Sequence, residues 1–389
     1  MPGTTKTTLM IWLAYFISGF LVLRFLVTIL NLITRQWLRR ASGGGPASVE
    51  ASSPPLVSVL IPARNEQEKI GNLLNDLFYQ DHKNLEIIVY DDLSEDNTVQ
   101  VVSDHIKKDS RIRFMEGSPL PSGWLGKNHG CHQLSLAAKG EYLLYLDADV
   151  RVQPPLITDS LAHMQRYRLD LFSIFPKQEM HTLGEKISVP VMNWILVGLL
   201  PLILTRISPR PSLSAANGQF MLFRAGAYHS SRFHKNIKET LAEDIEIFRT
   251  AKKKGLRTHT VLSNGDITCR MYDSWNESLA GFSRNVPEFF GGHIWLAALY
   301  ALITTLGFIP VLLYLPLQFS LAFLALIMTQ RIAISLLSRQ PAVLNLLLAP
   351  VQQIVFCIII ITAILKKTRQ NLTWKGRNVY GSVLKPRLS

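Results

Sequence analysis

Apolar residues run almost unbroken in three places along this chain, and between them they recur with the periods of strands and helices. From Leu9 to Ile33 only Arg24 interrupts the apolar run, and Arg35, Arg39 and Arg40 follow it. A helix of about 20 apolar residues spans a bilayer, and basic residues on its trailing side hold that side in the cytoplasm. A cleaved signal peptide would have a shorter apolar core and a small-residue cleavage site, and this run has neither. Ile294 to Gln330 and Gln340 to Leu365 contain no charged residue. The first is long enough for two spans joined near Gly307 to Pro316, the second for one. Three C-terminal spans would leave Lys366, Lys367, Arg369, Lys375 and Arg377 outside, against the positive-inside tendency. A re-entrant hairpin broken at Pro350, Gln352 and Gln353 is expected instead, keeping them in the cytoplasm.

The stretch between these ends reads as alternating strands and helices. Ala41 to Pro55, rich in Ser, Gly, Pro and Ala, is a flexible linker. Leu56 to Ile61 is a β-prone run, and Asn65 with Glu68 three positions later has the form of a helix cap before Ile70, Leu73, Leu74 and Leu77. Leu85 to Tyr90 is a second strand ending at Asp91 and Asp92, with Asp96 placed to cap the helix after it. Ile112 to Met115 is a third strand and Tyr142 to Leu146 a fourth, ending at Asp147. Such alternation predicts an α/β fold with a mainly parallel sheet flanked by helices. One apolar, uncharged stretch, Ile187 to Thr205, is either a buried core helix or a helix lying at the bilayer surface.

Charge changes the picture by its location. The chain has 389 residues, 41 Lys and Arg against 28 Asp and Glu, a formal net charge of +13. Residues 1–49 hold five basic and no acidic residues and residues 331–389 hold nine and none, leaving 27 basic against 28 acidic between them. The excess belongs to the membrane flanks, which removes nucleic-acid binding from consideration. The three cysteines, Cys131, Cys269 and Cys357, include no close pair and suggest neither a disulfide framework nor a zinc site.

Four acidic signatures carry the candidate chemistry, and the first three fall where strands end, the edge at which open α/β sheets bind ligands. Asp147 and Asp149 flank Ala148 and make a half-site for a hard cation such as Mg2+ or Mn2+, which takes oxygen ligands from one or two carboxylates and a substrate phosphate. An isolated acidic pair in a strand-to-helix turn is as readily a cap. Asp91 and Asp92 can accept from a base or ribose, or cap a helix. Lys127, in the glycine-flanked Gly123 to Asn128, suits a diphosphate near a helix start, although the spacing is not that of a Walker loop. Glu243 and Asp244 open another helix, where acids stabilise the N-terminus and where a general base can also sit.

Taken in order, P-A-R-N-E from Pro62, V-Y-D-D-L-S-E-D-N-T from Val89, G-W-L-G-K-N from Gly123, D-A-D-V from Asp147, A-N-G-Q-F from Ala216 and A-E-D-I-E from Ala242 resemble the inverting family-2 glycosyltransferases of the GT-A fold. The resemblance covers about residues 56–290 and is nearest the membrane-anchored branch with carotenoid glycosyltransferases. It implies that Ala63, Glu66, Asp91 and Asp92 hold the nucleoside, that Lys127 lies near the diphosphate and Asp147 near the ribose or sugar, and that Asp149 binds the metal. It further implies that Asp244 deprotonates the acceptor, with Asn217, Gly218, Gln219, Phe220 and Glu243 on the acceptor side. Processive members carry Gln-x-x-Arg-Trp after the base. Here Gly281 to Asn285 stands in its place, which favours transfer of a single sugar and leaves Arg284 as either a diphosphate contact or an ordinary surface arginine.

The expected organisation is an N-terminal anchor over 1–40, a linker over 41–55, a GT-A domain over 56–293, a transmembrane or re-entrant region over 294–365 and a basic tail over 366–389. The expected activity is inverting, metal-dependent transfer from a nucleotide sugar, UDP-glucose favoured, to a membrane lipid such as a carotenoid or another isoprenoid or glycolipid precursor. The protein is expected in the plasma membrane, the inner membrane where there are two, as a multi-pass protein with its catalytic domain in the cytoplasm. A processive polysaccharide synthase, a glycoside hydrolase with paired carboxylates and a non-catalytic membrane-bound binding module are the competing readings.

Overall fold

The computed structural model describes residues 2–40, 54–369, 373–374 and 377–378. Most of the expected linker and most of the basic tail lie outside the described residues. In chain order, the first helix is α1 (Pro2–Ile33), followed by β1 (Val57–Ala63), α2 (Ile70–Phe78), β2 (Leu85–Asp91), α3 (Thr98–Ile106), β3 (Ile112–Glu116), α4 (Gly126–Ala137) and β4 (Tyr142–Leu146). There follow β5 (Val150–Val152), α5 (Leu156–Tyr167), β6 (Leu171–Phe175), β7 (Lys177–Gln178), α6 (Leu183–Ser188), α7 (Pro190–Leu199) and α8 (Leu204–Ile207). Next are β8 (Phe220–Arg224), α9 (Ala225–Ser231), α10 (Phe233–Asn236), α11 (Glu243–Lys253), β9 (Thr258–Leu262) and β10 (Ile267–Cys269). The remaining helices are α12 (Trp275–Phe289), α13 (Ile294–Leu306), α14 (Phe308–Tyr314), α15 (Leu317–Leu337), α16 (Ala342–Leu347) and α17 (Ala349–Arg369).

The chain divides into two compact units. One comprises the described residues of 36–179 and 202–270, and it contains a seven-stranded sheet ordered β3-β2-β1-β4-β8-β6-β9. The pairs β1 with β2, β1 with β4, β2 with β3 and β6 with β9 are parallel, and only β8 runs antiparallel to its neighbours. The α/β fold with a mainly parallel sheet is thus as expected. Every residue of β4 and β6 is buried, as central strands covered on both faces require. A small second sheet, β5-β10-β7, is built from strands of two and three residues. Just after α1, Trp37 forms a bridge to Leu262 in β9, and the Gln36 carbonyl accepts from the Leu262 N–H at 2.8 Å.

The other unit comprises residues 1–35, 180–201 and 271–370 and is helical. Residues 180–201 and 271–293, expected with the catalytic domain, therefore group with the apolar helices. Thr5–Ile33, Ile294–Tyr314, Leu317–Leu337 and Ala349–Lys366 are long and apolar enough to cross a membrane. The break expected at Pro350, Gln352 and Gln353 is corrected: α17 runs through all three as one helix. Pro350 falls in its first turn, where a missing N–H leaves no helical bond unmade. The join expected near Gly307 to Pro316 narrows to Leu315 and Pro316, since Gly307 keeps helical dihedrals and donates to the Ile303 carbonyl at 3.0 Å. The surface-lying reading of Ile187 to Thr205 is also corrected. Trp194, Ile195 and Val197 of α7 are buried, and α7 packs on α1, α15 and α17, leaving no apolar face free to lie on a bilayer.

Candidate functional site

Parallel pairing sets Ala63 opposite Asp91, so β1 and β2 release their chains at the same edge of the sheet. The Asp92 N–H donates to the Ala63 carbonyl at 2.8 Å. Arg64 then reaches across to the Asp92 and Leu93 carbonyls and to the Glu95 carboxylate at 3.0 Å. The Glu66 N–H donates to Thr98 Oγ1 at 2.8 Å and the Gln67 N–H to Asp96 Oδ2 at 3.1 Å. This lacing holds Ala63, Glu66, Asp91 and Asp92 in two adjoining loops. The cap expected at Asn65 is corrected: with φ at 51°, Asn65 accepts from the Glu95 N–H at 2.8 Å, and α2 begins only at Ile70. Asp96 lies one residue before the N-cap, Asn97, and from there accepts the first N–H of the helix, that of Thr98, at 3.0 Å. One oxygen of Asp91 accepts from the Ser94 N–H, and the other is buried without a hydrogen-bond partner.

The next strand along, β4, delivers Asp147 to the same edge, because β4 lies parallel beside β1. Lys127, in the first turn of α4, sits 2.8 Å from Asp147 Oδ1 and 3.0 Å from Glu243 Oε1. Burial works against its charge, but the two carboxylates outweigh it and hold the ammonium well above the ordinary lysine range. Asn128 explains how α4 and α11 are brought to this meeting. Its amide donates to the carbonyls of Ile237, Lys238 and Thr240, which lie in the segment leading into α11.

Glu243 and Asp244 occupy the first turn of α11. Asp244 Oδ2 accepts from the Gly218 N–H at 3.0 Å and Oδ1 from the Ile245 N–H at 2.8 Å. Burial, and then the charge of Glu243, push its carboxyl up to about 7. A Cβ at Gly218 would lie 3.1 Å from Lys127 Nζ and 3.2 Å from Glu243 Oε1, so a larger residue there would push on that ion pair. Of its neighbours, Asn217 and Gln219 are turned inward. Asn217 exchanges hydrogen bonds with Ser173, and Gln219 donates to Cys269 Sγ at 2.7 Å. Phe220, expected on the acceptor side, is fully buried edge-on to Phe172, so it fills the core instead of facing a ligand.

Asp149 lies past the end of β4 with its Oδ1 buried and without a hydrogen-bond partner. Burial, then Asp147 and Glu66, push its carboxyl up to about 7. Its surroundings include Cys269, which hydrogen-bonds to it and which sits opposite Val150 and Gln178 in the small sheet. A buried, unpartnered carboxylate oxygen suits a hard cation. Among the described residues no group of three or more His, Cys, Asp or Glu is placed to hold a metal ion, so further oxygen ligands would come from a phosphate and water.

The sheet therefore brings together Lys127, Asp147, Gly218, Glu243 and Asp244, with Asp149 two residues beyond Asp147. The sequence reading missed Cys269, Gln178 and His129. His129 stands near Asp92, and burial lowers its pKa. The contact of Glu243 with Lys127 was missed as well. No local signal marks Cys269 or Gln178, because strands of two or three residues carry no period.

The family model for "Glycosyl transferase family 2" matches residues 58–228. A 4,4'-diaponeurosporenoate glycosyltransferase of Staphylococcus haemolyticus is 25% identical over 251 residues, 61% of this chain and 65% of that protein. A GalNAc(5)-diNAcBac-PP-undecaprenol beta-1,3-glucosyltransferase of Campylobacter jejuni is 38% identical over 96 residues, 24% of this chain and 30% of that one. The chain thus spans less than two thirds of the length of either relative. A mannosyltransferase of Pyrobaculum calidifontis, solved in complex with GDP-Man and Mn2+, shares the fold with a TM-score of 0.54 at 16% identity, covering 92% of this chain and 99% of that one.

Proposed function

We propose that this chain, whose residues 58–228 match the family-2 glycosyl transferase model, is a membrane enzyme that transfers one sugar from a nucleotide diphosphate donor, UDP-glucose favoured, to a hydroxyl or carboxyl group of a membrane lipid. The observation that carries this reading is the meeting of Lys127, Asp147, Glu243 and Asp244 at one edge of the sheet, next to the loops of Asp91 and Asp92. The names of the two relatives, one a carotenoid-acid and one an undecaprenol-linked glycosyltransferase, support a lipid acceptor.

In this reading Glu66, Asp91 and Asp92 bind the nucleoside beside the Ala63 backbone, and Lys127 turns its ammonium toward the diphosphate. Asp149 would hold Mg2+ or Mn2+, which supplies neutralisation of the charge growing on the leaving diphosphate. Asp244 accepts the proton of the acceptor hydroxyl while that oxygen bonds to the anomeric carbon and the carbon–diphosphate bond breaks. Attack from the face opposite the leaving group inverts the sugar carbon. Gly218 fixes the base through its N–H and leaves room for Lys127. Its neighbours Asn217 and Gln219 support this turn from beneath.

Incubating membranes that contain the protein with labelled nucleotide sugars is expected to place the label in an organic-extractable lipid bearing one sugar. Label confined to soluble sugars, protein or nucleic acid would refute the lipid acceptor, and products of many sugars would identify a processive synthase.

Arg35, Arg39 and Arg40 after the first apolar helix support a plasma-membrane, multi-pass protein with its catalytic domain in the cytoplasm. Ser122 is exposed, so Ser122→Cys in a background without the native cysteines should resist an impermeant thiol reagent in intact cells and react after permeabilisation. Reaction in intact cells would reverse the orientation.

A further inference from the structure

Within the helical unit a polar track crosses otherwise apolar helices. Arg24, midway along α1, lies 5.1 Å from the Tyr300 ring centroid and 5.9 Å from that of Phe20, and its Nε is buried without a hydrogen-bond partner. Arg331 on α15 lies 3.6 Å from the Trp194 ring centroid and donates to Gln352 Oε1 at 3.3 Å and Gln353 Oε1 at 3.0 Å. Those amides are fixed in turn, Gln353 by Thr304 and Thr305, Gln352 by Asn345 and the Lys186 carbonyl. A Cβ added to Gly198 would touch Arg24, and Arg331 stacks on Trp194 one turn earlier in the same helix, so both arginines lie against α7. They also act on each other electrostatically.

The four long apolar helices contain no Asp or Glu. The charge of both arginines is therefore met by ring faces and neutral amides, which hold a guanidinium in place without neutralising it. A charged side chain in such a segment is costly and is retained where it has a partner or a ligand. A guanidinium matches the paired oxygens of a carboxylate or phosphate, and Arg24, whose Nε has no hydrogen-bond partner, keeps donors for such a head while Arg331 adds charge beside the same helix. The helices that carry them are otherwise apolar, which suits a ligand with an acidic head and a hydrocarbon body.

We propose that Arg24 and Arg331 form a binding site within the helical bundle for the acidic head, carboxylate or phosphate, of a membrane amphiphile. The site is separate from sugar transfer and does not rest on that reading.

The test uses the full chain in phosphatidylcholine nanodiscs, with a fluorescent long-chain fatty acid, its methyl ester and inorganic phosphate as probes. The unaltered protein should bind the acid about tenfold or more tightly than the ester. Arg24→Gln and Arg331→Gln should each remove that preference, and Arg331→Lys should keep part of it. Inorganic phosphate should not displace the acid. Equal binding of acid and ester overturns the proposal even if the variants fail to fold, and so does a preference unchanged in both Gln variants. Displacement by phosphate alone would overturn the amphiphile and leave a small-anion site. Nucleotide affinity, measured on each protein, reports folding. A protein that prefers the acid but binds no nucleotide sugar would sink the transferase reading and leave this one standing, and the reverse pattern would do the opposite.

Discussion

Asp244→Asn should bind the nucleotide as the unaltered protein does and transfer sugar about 10² to 10⁴-fold more slowly, the usual loss when a general base is removed. Asparagine keeps the size and one acceptor oxygen, so it retains a bond from either the Gly218 or the Ile245 N–H and loses the other, and a melt must show that the variant is folded. The pH dependence sharpens the test. A carboxyl raised to about 7 is a base only when deprotonated, so transfer by the unaltered protein should climb about tenfold per pH unit below 7 and level off above it. An ordinary carboxylate would give a flat profile across that range. Stability should move the other way. Between the ordinary value of 3.8 and about 7, the folded protein keeps a proton that the unfolded chain releases, so this group's contribution to stability falls as the pH rises through that window. The melting temperature of the Asn variant should accordingly rise relative to that of the unaltered protein between pH 5 and pH 8. Initial rates and thermal melts across pH decide the matter. A variant that transfers at nearly the normal rate would make Asp244 a helix-start acid or the acceptor a carboxylate, which brings no proton to remove.

The second large effect belongs to Asp149. Asp149→Ala removes the carboxylate whose buried oxygen has no partner, and nucleotide affinity should lose its dependence on Mg2+ or Mn2+. The fall in metal affinity should exceed the roughly 10 to 100-fold that loss of even an outer-shell partner costs. Titrating nucleotide with and without metal, for both proteins, separates this from a general loss of structure, since metal-free binding should be equal in the two. If the variant keeps the full metal response, Asp149 is not the ligand. The two substitutions thus fail differently, one in chemistry and one in donor binding.

Much of this was legible because strand and helix periods are local. The strands ending at Ala63, Asp91 and Leu146 could be read from alternation and turn residues, and parallel pairing then dictated that their trailing acids share an edge. Other features depended on long-range partners. The acceptor-side place of Phe220 comes from the resemblance alone, and nothing near it in the sequence signals that β8 runs against its neighbours and buries the ring. An apolar stretch such as α7 looks the same whether it packs among helices or lies on a membrane. Asn65 and Glu68 have the spacing of a cap, but a positive φ at Asn65 turned its side chain to the opposite loop instead.

The position of β8 has a consequence for how the chain is made. It joins β4 on one side and β6 on the other, and without it the sheet falls into β3-β2-β1-β4 and β6-β9. The ribosome delivers β8 only after residues 180–201, which belong to the helical unit, have emerged. Until then β4 and β6 present open, apolar edges, the kind of surface on which nascent chains pair with the wrong partner. The helical segment must therefore leave the ribosome before the sheet can close, and a ribosome that stalls before Phe220 leaves a half-sheet exposed to aggregation and proteolysis.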